Sequence, residues 1–311
     1  MDKLVIGVDI GGTRTKWGLV NIYSGEVLHS IVCPTEKTIA VDFLQQVGEV
    51  VKQLTSVAVT LGHTISGIGF GVPGYTGESG EVVTTYGFLE FMENYPLKTI
   101  IEAAFLLPCK VDNDARVVAL GEALYGQGKG YNRVLTLTLG TGVGVGFVVN
   151  GAFIDALPVA HMGGHIKITD GAIKCYCGKT GCLEALVATG GIEQLARQWM
   201  GYPCSVKELF DAAGNDDPLA IEVVAQLLKY LHTGIHNYVN LLAPDMIVLG
   251  GGIARGLSPY VDMIRGSSYL SPYPGYHFTL AVSTLHELAG MLGSAALFSN
   301  GLTKNTTHAI K

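Results

Sequence analysis

Charge is scarce in this chain of 311 residues, with charged side chains at 15% and a net charge of −6. No Lys/Arg-rich run or basic helix stands out, which argues against nucleic acid or an anionic membrane as the main partner. Long apolar runs are also missing. The longest apolar-leaning stretch, residues 134–149, is broken by Gly140, Gly142, Gly144 and Gly146, and is too short and too glycine-rich to cross a bilayer. No apolar segment precedes a cleavage-like site, because Met1-Asp2-Lys3 runs straight into strand-like residues 4–9. A soluble, cytoplasmic protein is the expectation. A disulfide framework is not expected either. The six cysteines are Cys33, Cys109, Cys175, Cys177, Cys182 and Cys204, and three of them crowd into eight residues. Clustered thiols in a reducing compartment read as metal ligands.

What is present is apolar mass and glycine: 48% hydrophobic residues and 42 glycines. Burial can outweigh chain entropy, and a chain of this length tends to split into two domains. Strands are expected at residues 4–9, 16–22, 26–32, 65–72 and 109–112. Helices are expected at 38–57 (with Thr38 as its cap), 97–106 and 113–125. A second cycle places strands at 134–139, 143–150, 246–249 and 278–282. Its helices fall at 191–200, 206–213 and 218–242, near Leu257 and at 286–300, before a polar tail from Leu302. An internal echo links the cycles. Residues 9–21 and 138–150 share the outline of strand, Gly/Thr turn, strand, Val-Asn and reverse turn. Two such hairpins suggest a duplicated α/β domain with a phosphate turn in each copy.

The first turn, Asp9-Ile10-Gly11-Gly12-Thr13, can offer backbone N–H groups and a hydroxyl to phosphate, and Asp9 can hold Mg²⁺ through water. The alternative is a glycine hairpin turn. Gly140-Thr141-Gly142 is the matching turn for other phosphates. Gly250-Gly251-Gly252, after a buried strand, can lie flat against adenine or ribose; its alternative is a strand-to-helix turn. In Asp112-Asn113-Asp114, Asp114 suits a general base for a sugar hydroxyl, while Asn and Asp also cap helices. The most specific feature is His165 with Cys175, Cys177 and Cys182, one imidazole and three thiolates that suit a closed tetrahedral zinc site. His161 is a spare candidate.

These motifs resemble the ROK sugar kinases, across nearly the whole chain. The resemblance rests on Asp9-Ile-Gly-Gly-Thr13, Gly71-Val-Pro-Gly74, Asn113-Asp114-Ala115, Leu139-Gly-Thr-Gly-Val-Gly144, Gly164-His165, Cys175-x-Cys-Gly-x-x-Gly-Cys182-Leu-Glu184 and Gly250-Gly-Gly252. It implies a two-domain actin/hexokinase-like fold with an interdomain cleft and a zinc-binding loop. Residues 1–113 with about 286–300 would form the small domain, and 114–285 the large one. It implies ATP-dependent phosphorylation of a hexose-type sugar, glucokinase-like, at the 6-hydroxyl. Asp114 would be the base, and Gly74, Asn113, His165 and Glu184 would bind sugar. Asp9, Gly11, Gly12, Thr13, Gly140, Thr141, Gly142, Gly250 and Gly251 would bind ATP and its Mg²⁺. Structural Zn²⁺ would sit on His165, Cys175, Cys177 and Cys182, and the protein would be a homodimer. Two departures concern the sugar half: Met162 stands where members usually carry Glu, and the stretch near Tyr86-Gly87-Phe88-Leu89 lacks a usual Asn. They leave a second reading, a catalytically weak sugar or nucleotide sensor. With the core beginning at residue 4, a DNA-binding repressor is not expected.

Overall fold

Side-chain alternation along β1 (Leu4–Ile10) sets the layering of the first sheet. Leu4, Ile6, Val8 and Ile10 join an apolar core with Phe43, Val47, Leu54, Ile68 and Phe70. Val5 belongs to a second core with Val20, Met291, Leu292 and Ala295. The computed structural model describes residues 3–77, 79–154, 158–171, 173–266 and 275–299.

After β1 come β2 (Arg14–Asn21), β3 (Glu26–Pro34), α1 (Ala40–Thr60), β4 (Ile65–Val72), β5 (Tyr75–Thr76) and β6 (Val82–Thr84). They are followed by α2 (Leu97–Phe105), β7 (Cys109–Asn113), α3 (Asp114–Tyr125), β8 (Arg133–Leu139), β9 (Val143–Val149) and β10 (Ala152–Phe153). The remainder holds α4 (Leu183–Val187), α5 (Thr189–Met200), α6 (Val206–Gly214), α7 (Pro218–Leu242), β11 (Met246–Gly250), α8 (Val261–Arg265), β12 (Thr279–Val282) and α9 (Ala289–Ala296). One five-stranded sheet has the order β3-β2-β1-β4-β7 and the other β10-β9-β8-β11-β12. Counted in chain order within each sheet, both read 3-2-1-4-5. In the first, β1 is antiparallel to β2 and parallel to β4. In the second, β8 and β12 both run parallel to β11. The echo in the sequence is therefore a repeated topology.

The described residues fall into two compact units. One takes in those up to Asn132, Gly146–His161 and those from Leu285 on; the other is Arg133–Val145 and Met162–Thr284. Helix α3 goes with the first unit because it packs on α9. A Cβ on Gly293 would collide with the Val117 carbonyl, and one on Gly121 would lie against that of Ala289, so the two helices meet backbone to backbone. The division at residue 113 expected from sequence would part α3 from this partner. The small residues Gly121 and Gly293 permit the approach.

Two expectations differ from the structure. Thr38 does not cap α1: the N-cap is Ile39, with no side-chain bond, and the Thr38 hydroxyl donates to the Glu36 carboxylate instead. Near Leu257 there is no continuous helix. Short 3₁₀ turns at Ile253–Arg255 and Ser258–Tyr260 precede the five-residue α8. Gly252, Gly256 and Pro259 cut the run, since glycine is costly in a helix interior and proline lacks a donor. Asn300 and the tail from Leu302 lie outside the described residues. No helix among the described residues is long and apolar enough to cross a membrane.

Candidate active site

In the first unit, β1 alternation turns Asp9 toward α9, where a Cβ on Gly290 would lie 2.6 Å from the Asp9 carboxyl carbon. Lys16 faces Asp9 across the β1–β2 ladder, with its Nζ 3.5 Å from Oδ2. Burial pushes the Asp9 carboxyl up, against the pull of Lys16. The turn between the strands is closed by the Gly11 N–H donating to the Arg14 carbonyl at 3.1 Å. Thr35 braces it: its hydroxyl donates to the Gly11 carbonyl at 2.7 Å and its N–H to that of Thr13 at 3.0 Å. Gly12 and Thr13 are exposed, and a Cβ on Gly12 would meet no protein atom. Glycine there is not demanded by the chain's own packing.

Strand β7 delivers Asn113 as the N-cap of α3, its Oδ1 accepting from the N–H groups of Ala115 at 2.9 Å and Arg116 at 3.2 Å. Its Nδ2 donates to the Gly74 carbonyl and to Asp114 Oδ1, each at 2.9 Å. All four bonding positions of this amide are used. Asp114 Oδ1 also accepts from the Ala115 N–H at 2.8 Å. The half-buried Asp114 is pushed up to about 7, first by desolvation and then by the charge of Asp9. Asp9, Gly11, Gly12, Thr13, Gly74, Asn113 and Asp114 thus all belong to the first unit.

The second unit holds the other residues singled out in the sequence. Between β8 and β9, the Gly140 N–H donates to the Gly142 carbonyl at 3.0 Å. The Gly140 carbonyl accepts from the Thr189 N–H at 2.9 Å and its hydroxyl at 3.0 Å. The Val143 N–H donates to Glu184 Oε2 at 2.9 Å. Thr141 is exposed, and a Cβ on Gly140 would meet no protein atom, whereas one on Gly142 would lie 2.9 Å from Glu184 Oε2. Gly250 closes β11 opposite Thr138, and Gly251, at φ +85°, presses on the Leu139 backbone. The third glycine run therefore lies beside this turn.

Ligand atoms of His165, Cys175, Cys177 and Cys182 all lie within 4.8 Å of one another. Cys175 Sγ is 3.4 Å from His165 Nδ1, and the sulfurs of Cys177 and Cys182 are 3.7 Å apart. A tetrahedron with Zn–S near 2.3 Å and Zn–N near 2.0 Å has edges of about 3.5–3.8 Å. The four donors fit zinc in type and spacing. His165 Nε2 lies 3.1 Å from the Tyr176 hydroxyl, which leaves Nδ1 to the cluster. Glu184 adjoins the group: its Oε1 is 3.7 Å from both His165 Nδ1 and Cys175 Sγ. The side chain of His161 lies outside the described set. The six cysteines form no disulfide.

Four residues escaped the sequence reading. Lys16 could have been found from the hairpin register, which sets it opposite Asp9. Tyr176, between two cysteines, could have been flagged as an imidazole partner. Thr35 and Thr189 carry no local signal, because each braces a turn far from it in sequence.

A glucokinase of Halalkalibacterium halodurans is 32% identical over 95% of this chain and 95% of its own length. The crystal structure of a ROK family glucokinase from Streptomyces griseus in complex with glucose and AMPPNP has a TM-score of 0.75 at 28% identity, covering 94% of this chain and 98% of that one. That of a ROK family transcriptional regulator, homologous to the E. coli MLC protein, has a TM-score of 0.82 at 26% identity, over 96% of this chain and 78% of the regulator. The match to the ROK family itself runs over residues 5–300, so this chain belongs to that family.

Proposed function

We propose that this protein is an ATP-dependent sugar kinase that phosphorylates a hexose-type sugar at its 6-hydroxyl, with Asp114 as general base. Similarity to glucokinases along nearly the whole chain supports the reaction class. One observation carries the assignment of the base. Asp114 is fixed at the start of α3 by Asn113 and the Ala115 N–H, with its pKa held near 7. A carboxylate so tuned accepts a proton efficiently at neutral pH.

In this proposal Asp114 takes the proton of the sugar hydroxyl as that oxygen bonds to the γ-phosphorus. The bond from phosphorus to the β–γ bridging oxygen breaks, and ADP leaves with the electron pair. Such a transfer depends on positioning and charge stabilisation. Gly11 and Gly140 close the two turns through their own N–H groups, the N–H groups of Gly12, Thr13, Thr141 and Gly142 hold phosphate oxygens, and Gly250 and Gly251 present flat backbone to adenine or ribose. Asp9 would hold the Mg²⁺ that accompanies ATP, which offsets phosphate charge when bound. Glu184 is the sugar ligand of the second unit, and His165, with Nε2 beside the Tyr176 hydroxyl and Nδ1 given to the cluster, helps to shape the sugar pocket. Asn113, its amide fully committed, serves the sugar by orienting Asp114 and by fixing the Gly74 carbonyl. His165, Cys175, Cys177 and Cys182 would hold zinc in a closed shell that fixes their loop and generates no nucleophile.

Similarity to a regulator favours a second reading, a sugar or nucleotide sensor without turnover. A coupled ADP-release assay over a panel of sugars separates the two. Sugar-dependent turnover that Asp114→Ala lowers at least about 100-fold is expected of the kinase. Wild-type turnover no higher than that of Asp114→Ala would leave the sensor.

A further inference from the structure

The segment from Cys182 to Thr189 carries a metal ligand at its start and both braces of the second glycine turn after it. Glu184 is buried, and its carboxylate is divided: Oε2 accepts the Val143 N–H at 2.9 Å, while Oε1 lies 3.7 Å from His165 Nδ1 and from Cys175 Sγ. Five residues on, Thr189 binds the Gly140 carbonyl through both its N–H and its hydroxyl.

The ligand loop is tied to the same place from the other side. The Leu183 N–H donates to the Ile166 carbonyl at 2.9 Å, and Cys182 bridges to Lys167. Gly164, next to His165, is pressed against the Val143 carbonyl so closely that no Cβ would fit. Val143 is thus gripped at its N–H by Glu184 and at its carbonyl by the neighbour of a metal ligand. The turn that Val143 closes is the one read above as a phosphate cradle.

We propose that Glu184 is a positioning residue that couples the His165–Cys175–Cys177–Cys182 cluster to the geometry of the 139–144 turn, so that metal occupancy and nucleotide affinity rise and fall together. Ordering the cluster fixes the edge of His165 and Cys175 against Oε1, which fixes Oε2 and with it the Val143 amide. The nucleotide half of the proposal rests on the kinase reading; the coupling from cluster to amide does not. Thermodynamic reciprocity follows: whatever factor zinc adds to nucleotide affinity, nucleotide adds to zinc affinity.

The test follows amide hydrogen exchange at Val143 in the full-length protein, zinc-loaded and after chelation, with the Leu231 amide of α7 as an internal reference. In zinc-loaded protein, Glu184→Ala is expected to speed Val143 exchange by about 10-fold or more while Leu231 stays protected, in keeping with the usual cost of losing an outer-shell partner. Glu184→Gln, whose amide oxygen can still accept, is expected to restore part of the protection. Chelation is expected to speed Val143 exchange in wild type and to add little in Glu184→Ala, because both remove one coupling. Unchanged Val143 exchange in zinc-loaded Glu184→Ala, or independent additive effects of variant and chelation, would overturn the coupling. AMP-PNP titrations complete the test, with wild type expected to bind about 10-fold more weakly after chelation. Failure of AMP-PNP to bind zinc-loaded wild type would overturn the kinase reading instead, with the exchange result still deciding the coupling.

Discussion

The two glycine turns are built alike and equipped differently. In each, the first glycine carbonyl accepts a threonine hydroxyl: Gly11 from Thr35 at 2.7 Å and Gly140 from Thr189 at 3.0 Å. Each has one glycine whose Cβ would meet no protein atom, Gly12 or Gly140, and one hemmed in by an oxygen 2.9 Å away, Gly11 or Gly142. The first turn, however, follows Asp9, in a unit that also holds Asp114, whereas the second is tied through Glu184 to the His165–Cys175–Cys177–Cys182 cluster. A repeated scaffold has kept its glycine turn twice, and the proposed function assigns acid–base chemistry to one copy and metal binding to the other. The halves should therefore respond to substitution in different currencies, the first in turnover and the second in order and ligand affinity.

The largest expected effect belongs to the first half. Asp114→Asn should lower kcat by about 10³ with little change in zinc content, measured by ADP release and elemental analysis. The same carboxyl fixes a stability signature. Its pKa rises from 3.8 to about 7 on folding, so between those values the folded chain holds a proton that the unfolded chain has released. Its contribution is complete below pH 3.8 and is lost as pH rises through 7. Asp114→Asn should gain Tm relative to wild type at pH 8 and not at pH 3.5, and kcat/KM of wild type should rise with pH through about 7. A variant less stable at both pH values would argue against a strained base.

Next comes Gly142→Ala, which sets a methyl against the Glu184 carboxylate and should reduce kcat/KM for ATP by about 10², the scale of an ångström-sized displacement at a reacting group. Gly12→Ala and Gly140→Ala sharpen the contrast, since both should weaken ATP binding with Tm unchanged. A smaller effect tests the cluster. Tyr176→Phe should weaken zinc binding about 10-fold in a chelator competition while leaving the kcat pH profile in place. Smallest are Thr35→Val and Thr189→Val, each expected to cost about 1 kcal/mol in denaturant unfolding. Unequal losses would break the equivalence of the two braces.

Much of the fold was legible because strand signals here are strong. Residues 4–9 and 134–139 alternate or run apolar up to glycine turns, and the long helix at 218–242 matches α7 at both ends. The cluster was legible because Cys175, Cys177 and Cys182 lie close enough in sequence to share an ion. Elements with weak boundary chemistry were not. Thr38 has the cap residue type, but a competing carboxylate two residues upstream takes its hydroxyl. The resemblance implied a sugar ligand at Asn113, and only coordinates show its amide fully bonded. The glycines of β4 read as part of an apolar strand. Gly69 and Gly71 in fact leave room for Ser294 of α9 and Val117 of α3, a need created by residues far away in sequence.

The return of α9 to the first sheet has a consequence for how the molecule is made. Val5, Val20 and Ile22 are emitted by the ribosome early, yet Met291, Leu292 and Ala295, which cover them, come some 270 residues later. Until then one face of β1 and β2 is bare, while the second unit, contained within Arg133–Thr284, already has its whole sequence. The order of synthesis is thus inverted in folding: the half that begins the chain is the last that can close, and its exposed apolar strands are the surface a chaperone would have to shelter meanwhile.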